Sequence, residues 1–217
     1  MKTNNRDLPL DQFIEFALYD KVDGYYMKKN PFGKEGDFIT APNITRVFSE
    51  IIAIWIVTFW KSLGSPKKFN LLEFGAGNGE MMKVMIESFK KFPFFIGKCT
   101  IFIYEKSPKL IKEQRKNIKF KNIKWIKSLK KLNKSPSIYL ANEFFDALPI
   151  KQFSKSKNSW FEKFVHFNSN KFLNFSLSTL LSIRNFNIIF SIFYIKFYIK
   201  VHHYHRKVAF FFLTVYL

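Results

Sequence analysis

The segment FNLLEFGAGNGEMM, at residues 69–82, constrains the fold of this chain more than any other stretch. The apolar run Phe69–Phe74 has the length and composition of a buried strand, and a helical pattern of apolar residues follows the turn. Between them stand three alternating glycines, where a side chain would keep a ligand away from the backbone: Gly75, Gly77 and Gly79. A strand, a glycine-rich turn and a helix in this order predict a ligand crevice at the carboxyl end of a parallel sheet.

Two carboxylates beside the turn indicate which ligand the crevice takes. A dinucleotide site has glycines at its first, third and sixth positions and binds a pyrophosphate at the helix N-terminus. Here the sixth position is Glu80 and Glu73 precedes the turn, so negative charge would repel a phosphate and suit an amino group and a sulfonium. The pattern E-x-G-x-G-x-G is similar to the first motif of class I S-adenosylmethionine (SAM) methyltransferases. An ordinary glycine-rich turn between a strand and a helix is the alternative.

Two later strands are predicted to end at the same edge of the sheet. Thr100–Tyr104 ends at Glu105, a position from which a carboxylate accepts hydrogen bonds from ribose hydroxyls. Ile123–Ile126 is followed by Ser128 and Leu129, which we expect near an adenine ring. These positions complete a nucleoside site next to the glycine turn.

A fourth strand, Ser137–Ala141, runs directly into a polar and aromatic segment. Because its carboxyl end faces the same crevice, Asn142, Glu143 and Asp146 are candidate site residues. The alternative is a helix N-terminus at which the acidic side chains interact with the helix dipole.

The composition narrows the class of protein. The formal charge is +20, but 31 of the 36 basic residues are Lys, whereas recognition of phosphates and bases favours Arg, so nucleic acid is an unlikely partner. A single cysteine, Cys99, excludes an internal disulfide and fits a reducing compartment. The first residues show no targeting signal. The histidines of the segment His202–His205 are interpreted as incidental, so no metal is expected.

Four segments together resemble the MidA-like family of SAM-dependent methyltransferases, which includes a mitochondrial complex I assembly factor and bacterial relatives. They are LYDKVDGYY (18–26), GDFITAP (36–42), LLEFGAGNGE (71–80) and NEFFDALPIKQF (142–153), and the resemblance covers roughly Leu8 to Val165. It implies an α/β class I methyltransferase fold with a Rossmann-like parallel sheet flanked by helices, an N-terminal helical extension and an incomplete C-terminus. It also implies S-adenosyl-L-methionine as cofactor.

The resemblance assigns roles by position. Cofactor binding falls on the acidic and glycine positions Glu73, Gly75, Gly77, Gly79 and Glu105. The substrate end falls on Asn142, Glu143 and Asp146, with Asp37 and Thr40 near the mouth of the crevice. The implied methyl acceptor is an arginine side chain of a protein, such as a respiratory complex I subunit. A carboxylate pair can orient a guanidinium and take up the proton released on methylation.

The sequence suggests three regions: an extension at 1–66, a SAM-binding core at 67–165, and an atypical tail at 166–217. From residue 172 the tail has no Gly, Pro or Asp to form turns, so it is expected to lie outside the native fold and to leave the fourth strand with an unpaired edge. Arg184, Lys196 and Lys200 interrupt its apolar runs before they could span a membrane.

Two alternatives stay open at this point: an RNA methyltransferase, favoured by the charge, and a non-catalytic SAM-binding remnant, favoured by the missing half of the sheet. The expected location is the bacterial cytoplasm, or the mitochondrial matrix for a eukaryotic protein. The sequence does not indicate the oligomeric state.

Overall fold

The structure, a computed structural model, describes residues 7–28, 31, 37, 40–157, 159–167, 173–180 and 208–213. Contacts divide the chain into two compact units. One comprises Met1–Lys28 and Asp146–Ile192, and the other comprises Lys29–Phe145 and Phe193–Leu217. The region boundaries at residues 66 and 165 that the sequence suggests remain a proposal.

The helices and strands follow one another in this order: β1 (Asp7–Pro9), α1 (Leu10–Tyr19), α2 (Tyr25–Lys28), α3 (Ala41–Ile44), α4 (Arg46–Ser62), β2 (Phe69–Phe74), α5 (Glu80–Phe89), α6 (Pro93–Ile96), β3 (Cys99–Tyr104), α7 (Pro108–Asn117), β4 (Ile123–Ile126), β5 (Ser137–Asn142), β6 (Phe153–Ser156), β7 (Ser159–Phe167), β8 (Leu173–Leu180) and β9 (Val208–Leu213). Short 3₁₀ helices cover Leu129–Lys131 and Phe145–Ala147.

The larger unit is built on a five-stranded sheet in the order β4-β3-β2-β5-β9, in which every pairing is parallel. The strand β2 is central, as the sequence predicts, and all of its residues except Phe74 are buried. Such a strand is an apolar run rather than an alternating one because both faces of a parallel sheet are covered. The fold class is therefore the Rossmann-like α/β class.

The start of helix α7 is determined by the local sequence. Ser107 caps it, since its Oγ accepts a hydrogen bond from the Leu110 N–H, and Pro108 occupies its first turn. On its buried face Leu110 and the fully buried Gln114 lie four residues apart, and the buried Ile118 follows the last residue of the helix.

The helix that precedes the central strand corrects the sequence reading in two ways. The sequence predicts one helix starting at Thr40, but Thr45 interrupts it because its Oγ accepts from the Val47 N–H and caps α4 as a separate helix. The apolar spacing of the sequence predicts that Ile44, Val47 and Ile51 lie on the buried stripe of this helix, yet all three are more than half exposed. The buried face instead carries small residues that allow close packing, Ser49 and Ala53, together with Ile56, Val57 and Trp60.

The smaller unit contains a hairpin, formed by β6 and β7 in antiparallel pairing. The strand β1 pairs with β7, so the N-terminal segment contributes a strand as well as the predicted helix α1. An ion pair joins Asp7 to His166 across these two strands. Lys151 pairs with Glu162 at 2.5 Å and lies 3.8 Å from Asp11.

The backbone of the tail contradicts one expectation. The sequence predicts an unpaired edge at β5, but β9 lies parallel to it from Ser137 to Asn142, and β8 pairs with β7 in the smaller unit. The prediction was wrong because apolar β-rich sequence can pair with a sheet edge even where the chain lacks usual turn residues. In the part of the chain that the structure describes, no helix has the length and apolar character to cross a membrane.

Candidate functional site

The glycine turn between β2 and α5 depends on left-handed backbone. Gly75, Gly77 and Gly79 have φ angles of 61°, 53° and 84°, a region that disfavours side chains. A Cβ on Gly75 would also lie 2.7 Å from Cδ2 of Phe144, so the ring of this aromatic residue packs directly on the turn. The alternation of glycines is thus explained by conformation at all three positions and by close approach at Gly75.

A crevice that is open to solvent lies at the carboxyl edge of the sheet above this turn. Three segments form it: the start of α3, the glycine turn with the end of β2, and the residues that end β5. Its lining residues are Thr40, Pro42, Asn43, Glu73, Gly75, Ala76, Gly77, Asn78, Met81, Asn142 and Glu143. The structure therefore brings together Glu73, Gly75, Gly77, Thr40, Asn142 and Glu143 among the residues that the sequence singles out.

Two buried oxygen atoms in this crevice have no hydrogen-bond partner. They are Oε2 of Glu73 and Oδ1 of Asn142, which belong to neighbouring parallel strands. Three further buried side-chain oxygens in the described part of the chain share this property and lie elsewhere, on Asp11, Ser49 and Asn70. Because an unpaired buried acceptor is costly, two of them in one open crevice indicate a place for a ligand that donates hydrogen bonds.

The carboxyl group of Glu73 is only 2% exposed. Burial raises its pKa from 4.5 to about 8, and the nearby charge of Glu105 adds to the rise. The group is therefore largely protonated at pH 7 when nothing positive lies beside it. A cationic group of a ligand would favour its ionised form.

Glu105 lies at the end of β3, where the sequence predicts it, but it is not among the lining residues. Its Oε1 accepts hydrogen bonds from the backbone N–H groups of Lys106 and Ser107, both at 2.9 Å, and its Oε2 accepts from Gln114 at 3.1 Å. Burial raises its pKa, and the hydrogen bonds from Ser107, Gln114 and Lys106 oppose that rise. The same Gln114 amide donates to the carbonyl of Gly77 at 2.9 Å, so Glu105 is linked to the glycine turn by one side chain.

A chain of amides joins the turn to the segment that opens α3. The Asn78 side-chain amide donates to Oδ1 of Asn43 at 2.8 Å, and the Asn43 amide donates to Oγ of Thr40 at 2.8 Å. Oδ1 of Asn78 also accepts from the N–H of Glu80 at the start of α5. The C-terminal part of the GDFITAP segment is thereby held against the crevice.

The remaining predicted residues lie outside the crevice lining. Gly79 packs against α7, with a Cβ position 3.0 Å from Ile118. Ser128 caps the short helix after β4 and Leu129 is nearly half exposed. Asp37 is exposed. Asp146 is exposed too, accepts a hydrogen bond from the N–H of Ala147, and belongs to the smaller unit.

Glu143 has a left-handed backbone conformation, with φ of 46°, which is uncommon for a residue other than glycine. Strained residues of this kind persist where the surrounding structure fixes them, and they concentrate at functional sites. Among the described residues, no group of three or more His, Cys, Asp or Glu side chains is arranged to hold a metal ion. The histidines at 202–205 lie outside the described residues.

Sequence reasoning missed Asn43, Asn78 and Gln114. A signal existed for Gln114, because it interrupts the apolar stripe of Leu110 and Ile118, and a polar residue in such a stripe needs buried partners. Asn43 and Asn78 carry no comparable signal, since asparagine in a turn is ordinary.

Comparison with known proteins places the chain in a family. The family model described as S-adenosyl-L-methionine-dependent methyltransferase matches residues 51–193. The chain belongs to the MidA-like methyltransferase family. The match ends at residue 193, inside the segment that the sequence suggests as a tail.

Curated relatives of this MidA-like chain carry the name protein arginine methyltransferase NDUFAF7, mitochondrial. The Xenopus laevis protein is 30% identical over 182 residues, covering 73% of this chain and 42% of the relative. The Danio rerio protein is 32% identical over 177 residues, covering 71% and 42%. The human protein is 29% identical over 178 residues, covering 71% and 40%. The chain thus spans about two fifths of the length of these relatives.

Two crystal structures from Burkholderia thailandensis share the fold. One holds S-adenosyl-homocysteine and aligns with a TM-score of 0.65 at 21% identity, covering 79% of this chain and 46% of that protein. The other, a native structure, aligns with a TM-score of 0.61 at 21% identity, covering 79% and 44%.

Proposed function

We propose that this MidA-like chain binds S-adenosyl-L-methionine in the crevice and, in the whole protein, transfers its methyl group to an arginine side chain of a protein. The observation that carries the proposal is the pair of unpartnered buried acceptors, Glu73 Oε2 and Asn142 Oδ1. An ammonium or sulfonium group supplies the positive charge that such a carboxyl needs, and the ammonium also supplies donors.

The residues present fit this cofactor. Glu73 and Asn142 would accept hydrogen bonds from its amino group, and the bare backbone at Gly75 and Gly77 would allow it to lie against the turn. When bound, the cofactor supplies a methyl group on a positively charged sulfur. A dinucleotide fits less well, because a pyrophosphate brings no cation for Glu73 and no donor for Oδ1 of Asn142.

Glu143 would act on the acceptor. A guanidinium is protonated at neutral pH and its nitrogen is a poor nucleophile. A carboxylate next to it can fix its orientation by charge-assisted hydrogen bonds and can take the proton released when the nitrogen is methylated. The strained conformation of Glu143 supports this role, since it holds the side chain at the crevice. Asp146 stays a candidate residue for the acceptor end on the family resemblance alone.

The names of the relatives support arginine as the acceptor residue, because each is called a protein arginine methyltransferase. A respiratory complex I subunit is our proposal for the acceptor protein, and it rests on the family resemblance alone.

Isothermal titration of the purified chain with SAM, S-adenosylhomocysteine and NAD tests the first part. We expect binding of the first two and none of NAD. Gly77→Val should abolish binding because it places a branched side chain at φ 53° in the crevice. Gly64→Val is the matched control, since Gly64 also has positive φ, at 82°, but open space around it. Tighter binding of NAD than of SAM, or unchanged SAM binding by Gly77→Val, would refute the proposal.

Methyl transfer is tested with labelled SAM and three acceptors: an arginine-containing peptide, the same peptide with lysine, and total RNA. We expect label in the arginine peptide only, and loss of transfer in Glu143→Gln with unchanged binding of S-adenosylhomocysteine. Label in RNA would favour the alternative of an RNA methyltransferase. Cofactor binding without any transfer would favour a non-catalytic role for the chain as it stands.

A further inference from the structure

We infer that Gln114 is a positioning residue that fixes Glu105 and the glycine turn relative to each other, so that one oxygen of Glu105 is presented to a ribose hydroxyl of the bound cofactor. This inference rests on the proposed binding of SAM. It extends that proposal to a residue outside the lining of the crevice.

The helix α7 holds the glycine turn with two side-chain amides. Gln114 donates to the carbonyl of Gly77 and Asn117 donates to the carbonyl of Asn78, each at 2.9 Å. These helix residues are three apart and therefore share one side of the helix. Two successive carbonyls of the turn are thus tied to one rigid element, and a Cβ on Gly79 would lie 3.4 Å from the backbone of Gln114.

The orientation of the Gln114 amide is determined by Trp125. The indole Nε1–H can only donate, and it lies 2.9 Å from Oε1 of Gln114. The carbonyl end of the amide therefore faces the indole, and the NH₂ end has two hydrogens for two acceptors, the Gly77 carbonyl and Oε2 of Glu105. Gln114 is fully buried, and every hydrogen-bonding atom of its amide is used.

With these partners, the carboxylate of Glu105 can still accept a further hydrogen bond. An ionised carboxylate offers about four acceptor sites. Two backbone N–H groups occupy sites on Oε1, and the Gln114 amide occupies one on Oε2. Oε2 can accept one more hydrogen bond. The Gln114 nitrogen that donates to Oε2 also donates to the carbonyl of Gly77, and Gly77 lines the crevice.

A purely structural role for the amide would be to satisfy the carbonyl of Gly77 and the N–H of Trp125, and its loss would then lower stability without changing ribose recognition. The neighbours of Gln114 on the buried face, Leu110 and Ile118, are apolar, and an apolar residue of similar length would pack between them. What Leu or Met could not supply is the donor that links Oε2 of Glu105 to the glycine turn. The effect of losing it should therefore appear in the recognition of the ribose.

The test compares S-adenosylhomocysteine with its 2′-deoxy and 3′-deoxy analogues by isothermal titration of the full chain. In the unaltered protein we expect at least one deoxy analogue to bind about tenfold more weakly than S-adenosylhomocysteine, because a hydrogen bond to a charged group is lost. In Gln114→Met this ratio should fall to within about twofold, because Oε2 is no longer held towards the ligand.

Asn70→Leu is the matched control. Asn70 is also a fully buried amide, but it lies at the amino end of β2, where it bonds Asn133 and Ser137. It should reduce stability and leave the ratio unchanged. If Gln114→Met does not fold, Trp125→Phe decides, since it removes the N–H that orients the amide, together with part of the ring, and should lower the ratio in the same direction.

Two results overturn the inference and are distinguishable. If the unaltered chain does not bind S-adenosylhomocysteine, the proposed function fails and the inference fails with it. If the unaltered chain binds and discriminates but Gln114→Met, or Trp125→Phe in its place, keeps the full ratio, the inference alone fails and Gln114 is a packing residue.

Discussion

Replacing Glu73 with Gln should stabilise the empty protein and weaken cofactor binding at the same time. The carboxyl group is 2% exposed, and burial together with the charge of Glu105 raises its pKa from 4.5 to about 8. At any pH between these two pKa values, the folded state binds more protons at this group than the unfolded state does. The stability of the folded state is therefore full below pH 4.5, falls as pH rises, and stops falling above about pH 8.

The size of the effect follows from 1.36 kcal/mol for each pKa unit. Because Glu73 ionises more readily in the unfolded state, it lowers the free energy of unfolding by about 1 kcal/mol at pH 5 and by about 3 kcal/mol at pH 7. Gln has a similar shape and no proton to lose, so Glu73→Gln removes this cost. The difference between the variant and the unaltered chain should grow by about 2 kcal/mol from pH 5 to pH 7.

Urea unfolding at several pH values measures this difference. Glu87→Gln is the control, because the hydrogen bond from Arg46 lowers the pKa of this half-exposed carboxyl, which then stays ionised in both states near neutral pH. The free energy of unfolding of Glu87→Gln should differ from that of the unaltered chain by the same amount at every pH from 5 to 7. A constant difference for Glu73→Gln as well would refute the reasoning, since it would mean that Glu73 titrates alike in the folded and unfolded states.

Two further predictions concern the same edge of the sheet. Titration of SAM near pH 7 in buffers of different ionisation enthalpy should show release of about one proton, because the cation of the cofactor returns the pKa of Glu73 towards its ordinary range. Glu73→Gln should show no such release, and a binding enthalpy that does not depend on the buffer would mean that Glu73 stays protonated. Gly75→Ala should lower stability by about 1–3 kcal/mol in thermal denaturation, since it combines φ of 61° with a Cβ 2.7 Å from Phe144. Gly64→Ala carries only the strain, and an equal loss in both variants would show that Phe144 moves aside freely.

The parallel core could be predicted from the sequence because each of its elements is specified locally. β2 and β4 have the predicted bounds, and α7 begins where Ser107 and Pro108 place it. The face of α4 that is buried could not be predicted, because this helix is apolar on most sides and its packing is decided by the small residues Ser49 and Ala53.

Some residues of the candidate site could likewise be predicted from the sequence, and others could not. Residues within one motif, such as Glu73 and Gly77, could be predicted as crevice residues because strand, turn and helix fix their location. Asn43 and Gln114 could not, because their importance depends on contacts with Asn78 and Glu105 that are distant in sequence. Ser128 and Leu129 follow a strand as predicted but are not among the residues that line the crevice, so their place near an adenine ring stays a prediction.

The distribution of unfavourable features supports the proposed location of the site independently of any motif. The carboxyl edge of β2 and β5 carries an unpaired buried carboxyl at Glu73, an unpaired amide oxygen at Asn142 and a left-handed Glu143. A sequence that only had to fold would replace each of them with an apolar residue or a glycine, because each lowers the stability of the empty protein. At the amino end of the same strand Asn70 uses its side-chain N–H groups on Asn133 and Ser137. Glu73 and Asn142 differ from Asn70 in opening onto a crevice, where a ligand can provide the missing partners.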